Sequence, residues 1–177
     1  MEVTFLKSNP NIEGHDIVRI DDAHLIFRHF SGAEDDYHQE GERDFSIRID
    51  DPEIAEAFMN EGFNVTIKQR DNGEPPYMRM KVKVGMKGRD SDAKVFVVVG
   101  GRLRPLNRET IAMLDGIRIE RADMEIRAFD WERNGRSGRS AWLNEIKVYQ
   151  QISRFEQEYA EQEFPGEEPF PTEDVPF

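Results

Sequence analysis

Most of the chain alternates apolar and polar positions with the two-residue period of β-strands. The clearest case is "DFSIRID" at residues 44–50, in which every second side chain is apolar. Similar patterns predict strands over residues 16–30, 63–70 and 77–85, and residues 93–100 are apolar enough for a central strand. In the first of these, Ile17 and later Leu25 and Phe27 belong to two alternating runs, which predict a long, bent strand. A final pair of strands flanks "NGRSG" at residues 134–138, a composition that strongly indicates a hairpin.

Two short stretches change to the helical period. In the first, Asp51 is placed to cap a helix, Pro52 occupies the first helical position, and Gly62 ends it. The second begins with Asn107 as cap and stops at Gly116. About six short strands with one or two short helices predict an all-β fold, either a small barrel or a strongly curled sheet.

Charge is distributed unevenly along the 177 residues, whose formal net charge is −12. Residues 1–62 carry 5 basic and 16 acidic side chains, residues 63–154 carry 19 and 12, and residues 155–177 carry none and 8. Contacts with phosphate depend on the local potential, because salt screens charges beyond about 8–10 Å. The basic middle is therefore compatible with polyanion binding. The charge distribution alone is equally consistent with a barrel whose cations are scattered and solvated.

Composition excludes several classes of protein. The chain has no cysteine, which rules out disulfides, thiolate catalysis and Cys-ligated metals. No apolar run is long enough to span a bilayer, and "MEVTFLKSNP" does not resemble a signal peptide. These features predict an intracellular protein with one domain at residues 1–154, followed by an acidic segment at residues 155–177.

Evidence for an enzyme is weak. No serine lies in a nucleophile elbow, no glycine run has phosphate-loop spacing, and no pair of carboxylates is distinguished from the rest. His38 with Asp35 and Asp36 offers suitable ligand types for a metal, but the surrounding acidic loop favours a solvated segment. We therefore predict no catalytic residues, no metal and no cofactor.

Cations and aromatic residues interleave on the predicted strand at residues 77–85. If its methionines and valines face the core, Tyr77 shares the opposite face with a row of cations, which is what a single-strand binder needs. The hairpin repeats the pattern, with Trp131 and Trp142 on its arms. Either tryptophan could instead fill the barrel, and we expect Trp131 to be the exposed one. The candidate residues are Lys68, Arg70, Tyr77, Arg79, Lys81, Lys83, Lys87, Arg89, Trp131, Arg133, Arg136, Arg139 and Trp142.

The last eleven residues, "EEPFPTEDVPF", combine acids and prolines with a final aromatic. This segment resembles the tip of bacterial single-stranded DNA-binding proteins, which has the form Asp-Asp-Ile-Pro-Phe. The matching residues here are Glu173, Asp174, Val175, Pro176 and Phe177. The departure is Glu-Asp before valine, in place of two aspartates before isoleucine.

The body resembles tailed-phage single-stranded DNA-binding proteins. The resemblance rests on "FSIRIDD", on "GFNV" after the first helix, and on "MLDGIRIERADMEIRAFDWERNGRSGRSAWLNEIKV". It implies an OB-fold-like barrel with protruding hairpins, a disordered acidic tail that docks replication and repair proteins, and location in the host cytoplasm. The implied function is non-catalytic, sequence-nonspecific binding of single-stranded DNA in phage replication, recombination or repair. A protein–protein adaptor or structural phage component is the alternative, and homo-oligomerisation stays open.

Overall fold

The computed structural model describes residues 1–6, 16–153 and 155–156. Within them it contains nine strands, one α-helix and one 3-10 helix. The strands are β1 (Glu2–Leu6), β2 (Ile17–His29), β3 (Arg43–Ile49), β4 (Val65–Lys68), β5 (Tyr77–Val84), β6 (Lys94–Val99), β7 (Arg102–Leu106), β8 (Ile119–Arg133) and β9 (Arg136–Gln150). The predicted tail lies, apart from residues 155–156, outside the described part of the chain.

Five strands close into a ring. β2 pairs with β3, β3 with β5, β9 with β8, and β8 with β2, all antiparallel. The ring closes through a short parallel contact between β5 and β9, in which Val82 lies opposite Ala141 and Lys83 opposite Trp142. This is the five-stranded barrel of the OB fold, so the predicted fold class is confirmed.

The barrel interior is filled by alternate residues of each strand. Because successive side chains point to opposite faces, the strand pattern also determines which residues face outward. The largest fully buried side chains include Ile20, Phe30, Phe45, Ile47, Met80, Ile126, Leu143 and Ile146. On β5, Met78, Met80, Val82 and Val84 are buried, as the alternation predicts.

Four strands extend this ring. β4 pairs with the first half of β5, β1 pairs with β2, and the β6–β7 hairpin joins β9 beyond the barrel contact. The alternation did not identify β1 or β7. β7 is short and contains Pro105, which has no N–H for a ladder bond and fits only an edge strand.

The helix α1 (Pro52–Asn60) forms as predicted. The Asp51 carboxylate accepts a hydrogen bond from the Glu53 N–H at 2.9 Å, and Pro52 begins the helix. Phe58, which is fully buried, packs edge-on against Phe63 with 5.8 Å between ring centroids. No helix in residues 1–6, 16–153 and 155–156 is long and apolar enough to cross a membrane.

The second predicted helix is shorter than expected. The segment is a 3-10 helix at Ile111–Asp115, and Asn107 instead caps a separate turn by accepting from the N–H groups of Glu109 and Thr110. The predicted hairpin loop at residues 134–138 contracts to two residues. Asn134 and Gly135 have φ of 53° and 76°, which match the twist of the flanking strands.

One carboxylate organises the loop between β5 and β6. Asp92 accepts hydrogen bonds from the backbone N–H groups of Lys87, Gly88 and Arg89 at 2.9, 2.7 and 3.1 Å. Burial opposes ionisation of Asp92, but the three hydrogen bonds outweigh it and lower the pKa of this carboxyl below its usual value. The loop therefore depends on an ionised Asp92.

We expect Asp92→Asn to lower the melting temperature at about pH 7 and to have a smaller effect at about pH 2.5. A carboxyl whose folded-state pKa is depressed stabilises the fold above its unfolded pKa, about 3.9, and this contribution disappears as pH falls through the folded value. Thermal unfolding at both pH values measures the difference. Asp90→Asn, in the same loop, is the control, and an equal loss at both pH values would contradict the assignment.

Candidate nucleic-acid interface

The outward face of β5 carries Tyr77, Arg79, Lys81 and Lys83, which we call the basic strip. On β3, the residues opposite the three cations are Arg48, Ser46 and Asp44. On β4, Thr66 lies opposite Arg79, and Lys68 lies opposite Tyr77. The strip therefore runs along the middle of a three-stranded surface.

Tyr77 stands at the start of the strip between two arginines. The guanidinium carbon of Arg48 lies 5.7 Å from the Tyr77 ring centroid, and that of Arg70 lies 5.2 Å from it. Arg70 also pairs with Glu74 at 2.8 Å. Lys68, Arg70 and Tyr77, all predicted from the sequence, are thus neighbours at one end of the surface.

Phe27 adds a second aromatic that the sequence did not predict. Its φ of 51° lies in the left-handed region, at an irregularity in the pairing of β2 with β3, and its side chain is 61% exposed. Regular alternation from the buried Leu25 would direct Phe27 inward, but the irregularity in β2 turns it outward. The Arg79 guanidinium lies 5.1 Å from the Phe27 ring, while its Nη1 donates to Ser46 Oγ at 3.3 Å.

Trp142 provides the third aromatic, at the parallel contact that closes the barrel. Lys83 Nζ lies 5.6 Å from the centroid of the Trp142 ring. Arg127 of β8 lies opposite Trp142 in the pairing of β8 with β9. The indole is half-buried. Phe27 and Trp142 thus flank the strip, Tyr77 lies within it, and each of the three rings has a cation over it.

The β8–β9 hairpin continues this outward face. Three residue pairs of the hairpin lie on the same face as Trp142. From Trp142 toward the turn, they are Phe129 with Ser140, Trp131 with Gly138, and Arg133 with Arg136. Trp131 is 41% exposed, as expected, and its indole lies against Gly138, where a Cβ would clash with the ring. Arg133 and Arg136 are exposed beside the turn.

Arg139 lies on the other face of the hairpin. Its guanidinium forms two hydrogen bonds with the Asp130 carboxylate, at 2.6 and 3.0 Å, and one with Asp16 at 3.2 Å. It also lies 5.6 Å from the Phe63 ring, and its side chain is 17% exposed. The structure therefore separates Arg139 from Arg133 and Arg136, with which the sequence grouped it.

A groove of about 1070 Å³ separates the strip from the acidic loop at residues 31–42. Its residues include Glu34, Glu40 and Glu42 on the loop, and Lys81, Lys83, Lys87, Arg108 and Trp142 on the other side. Asp44 connects the two sides, since it pairs with Lys81 at 3.3 Å and with His38 at 3.0 Å. Burial opposes protonation of His38, but hydrogen bonds to Asp44 and Asp35 outweigh it and raise the pKa of the imidazole.

The structure thus brings most of the predicted residues onto one surface. Lys87 lines the groove, and Arg89 is exposed in the loop that Asp92 organises. The predicted tail residues, Glu173, Asp174, Val175, Pro176 and Phe177, lie outside the described part of the chain. Sequence reasoning missed Phe27, Arg48, Arg127 and Phe129. For Phe27 a signal existed, because three consecutive apolar residues, "LIF", cannot all face the core of one regular strand.

Comparison with known proteins places this surface in context. No curated protein sequence matches the chain. Among solved structures, the single-stranded DNA-binding protein from bacteriophage Enc34 in complex with ssDNA is 9% identical, with a TM-score of 0.47, over 86% of this chain and 98% of that chain. The single-stranded DNA-binding protein gp2.5 encoded by bacteriophage T7 is 10% identical, with a TM-score of 0.38, over 88% and 99%.

At TM-scores below 0.5, these similarities assign neither fold nor function by themselves. The sequence comparison with protein families is decisive. The family model described as "Putative phage ssDNA-binding domain" matches residues 11–174, which is nearly the whole chain. The chain belongs to this family of phage single-stranded DNA-binding domains.

Proposed function

We propose that the protein binds single-stranded DNA without sequence preference, through the basic strip, which includes Tyr77, and the flanking residues Phe27 and Trp142. The observation that carries the proposal is the interleaving of Phe27, Tyr77 and Trp142 with cations on one outward face of an OB barrel. In OB folds, this face and the adjoining loops are where oligonucleotides bind. Membership of the family supports the same function.

The chemistry of the surface favours single strands over duplex. Cations can follow the phosphates, and each aromatic ring can stack a base of any identity, because all bases have a π-face. Paired bases are already stacked within the duplex and do not offer that face. The hairpin, with Phe129, Trp131, Arg133 and Arg136, extends the proposed path, whereas Arg139 stabilises the hairpin from behind.

The proposed biological role of the protein is to coat exposed single strands of DNA. A protein that covers exposed strands melts hairpins by mass action and protects replication, recombination and repair intermediates, with no catalytic step. We also propose that residues 155–177 recruit partner proteins in these pathways. The alternative, a protein–protein adaptor or structural phage component, predicts no strong binding to oligo(dT).

We expect tight, steeply salt-dependent binding to oligo(dT), and far weaker binding to a duplex of the same length. Reversing the charge of Arg79, Lys81 and Lys83 together should lower affinity strongly. It should also flatten the slope of log K against log[salt] by about 2, because each phosphate contact with a single strand contributes about 0.7. Fluorescence or mobility-shift titrations over a range of salt concentrations measure both quantities.

The matched control reverses three exposed cations outside the proposed path, Lys94, Arg104 and Lys147. This control changes the net charge equally, so a similar slope in both variants would show a general polycation effect. Equal affinity of the wild-type protein for duplex and for single-stranded DNA would contradict the proposal. Circular dichroism of both variants establishes that the fold is retained.

Phe27→Ala should weaken oligo(dT) binding by about 1–3 kcal/mol, the usual loss when a base-stacking aromatic is removed. Phe27→Tyr should retain most of the affinity, because the ring is preserved. Leu103→Ala, which removes an exposed apolar side chain from β7, is the control and should bind normally. Wild-type affinity of the Phe27→Ala variant would place the DNA path elsewhere.

The tail should have two separable effects. Its eight acids and lack of bases allow it to repel DNA or to compete with it for the basic surface. Deleting residues 155–177 should therefore raise affinity for oligo(dT), most at low salt, where screening is weakest. Deleting Phe177 alone removes the proposed apolar anchor of the segment and leaves all eight acids in place.

The Phe177 deletion should abolish partner docking and leave DNA affinity nearly unchanged. Parallel titrations with oligo(dT) and with host or phage replication proteins measure the two effects. A full-length variant with the eight acids replaced by their amides separates charge from tail length. If the tail deletion binds DNA more weakly than wild type, the tail is part of the DNA site and the proposed competition is wrong.

A further inference from the structure

Two histidines and an aspartate meet at the base of the acidic loop. His29 is the last residue of β2, and Asp35 and His38 belong to the loop that follows. One nitrogen from each histidine and one oxygen from Asp35 all lie within 4.8 Å of one another. The two histidine side chains are only 13% and 14% exposed, whereas the Asp35 side chain is 42% exposed, so the cluster opens to solvent on the carboxylate side.

The hydrogen bonds determine which nitrogen of each ring points into the cluster. Nε2 of His29 lies 2.9 Å from the Ala33 carbonyl oxygen, which can only accept, so Nε2 carries the hydrogen. Nε2 of His38 lies 3.0 Å from both oxygens of the Asp44 carboxylate and donates to it. Both rings are therefore anchored through Nε2.

The two Nδ1 atoms face the same carboxylate. Nδ1 of His38 lies 2.9 Å from Asp35 Oδ1, and Nδ1 of His29 lies 3.6 Å from Asp35 Oδ2. Ligand atoms around a tetrahedral ion of zinc size stand about 3.3–3.6 Å apart, since each lies about 2.0–2.2 Å from the metal. The distance of 3.6 Å from His29 to Asp35 agrees with that separation, whereas the distance of 2.9 Å from His38 to Asp35 is shorter and has to lengthen when an ion binds.

The hydrogen bonds of the two Nε2 atoms match those that metal-binding histidines require. A ligating histidine usually donates its second ring N–H to a carbonyl or carboxylate, which sets the tautomer and the ring orientation. His29 and His38 meet this condition through different acceptors, one a backbone carbonyl and the other a carboxylate. The rings stack at 3.7 Å with an angle of 10° between planes, so one ring has to tilt for both nitrogens to reach a shared ion.

We propose that His29 Nδ1, His38 Nδ1 and the Asp35 carboxylate bind a divalent transition-metal ion of the zinc class. Imidazole nitrogen with carboxylate oxygen suits this class of ion, and water completes the coordination. The sequence offered His38 with Asp35 and Asp36 as ligand types but favoured a solvated loop with no metal. In the structure, His29 rather than Asp36 joins Asp35 and His38, and no spacing rule connects His29 to the loop.

The ion would join the acidic loop to the end of β2. Because His38 contacts Asp44, and Asp44 pairs with Lys81, the site also adjoins the wall of the groove beside the basic strip. Metal binding displaces any proton on His38 Nδ1 into solvent, as deprotonation of a ligand requires. The proposal concerns metal binding alone and stands independently of the proposed DNA-binding function.

The test uses the full-length protein, stripped of metal with a chelator, without DNA. Titration with Zn²⁺ by calorimetry at about pH 7.5, where free histidine is mostly neutral, should give one ion per chain. His29→Gln and His38→Gln should each weaken binding by about tenfold or more, the scale seen when even an outer-shell partner is lost. His24→Gln, which removes an exposed histidine of β2 outside the cluster, should bind like wild type.

A second measurement does not depend on whether the His29→Gln and His38→Gln variants fold. In imidazole ¹⁵N spectra of the wild type, Zn²⁺ should shift Nδ1 of two histidines, and the same two should shift in the His24→Gln protein. Absence of stoichiometric binding, or equal affinity of the His29→Gln and wild-type proteins, would overturn the proposal. Zinc-induced shifts confined to histidines other than these two would overturn it as well.

Discussion

The parallel contact between β5 and β9 is the constraint on which the rest of the structure depends. Only two residue pairs make this contact, yet they convert an open antiparallel sheet into a closed ring. Closure removes the free edges that β5 and β9 would otherwise expose within the barrel. It also places Trp142 beside Lys83, so the residue pair that completes the barrel also completes the candidate surface.

Local patterns predicted much of this structure, because the information lies within a few residues. Alternation on β5 separated the buried methionines and valines from the basic strip, and the cap at Asp51 marked the start of α1. The Asn134–Gly135 turn likewise follows from two residues that readily adopt positive φ. In these segments, local preference and tertiary environment favour the same conformation, so the prediction does not require long-range information.

The unpredicted features depend on contacts between distant segments. Phe27 turns outward at the irregularity in the pairing of β2 with β3. The run "LIF" indicates that not all three side chains can face the core, but which of them turns outward depends on the pairing with β3. Arg139 looked like one of three equivalent cations, until the hairpin register placed it opposite Asp130 and close to Asp16. The meeting of His29 with His38 has the same origin, since it depends on how the loop folds back on the end of β2.

The cations over Phe27, Tyr77 and Trp142 mean that the aromatic faces already have partners in the free protein. If DNA binds as proposed, a base that stacks on the Phe27 face beside Arg79 takes the place of the guanidinium, so stacking there is an exchange of partners. The displaced guanidinium is then available for the adjacent phosphate on the same strand. In that binding mode, base and backbone contacts are made and broken together, which would allow a strand to shift along the surface by successive exchanges without leaving it.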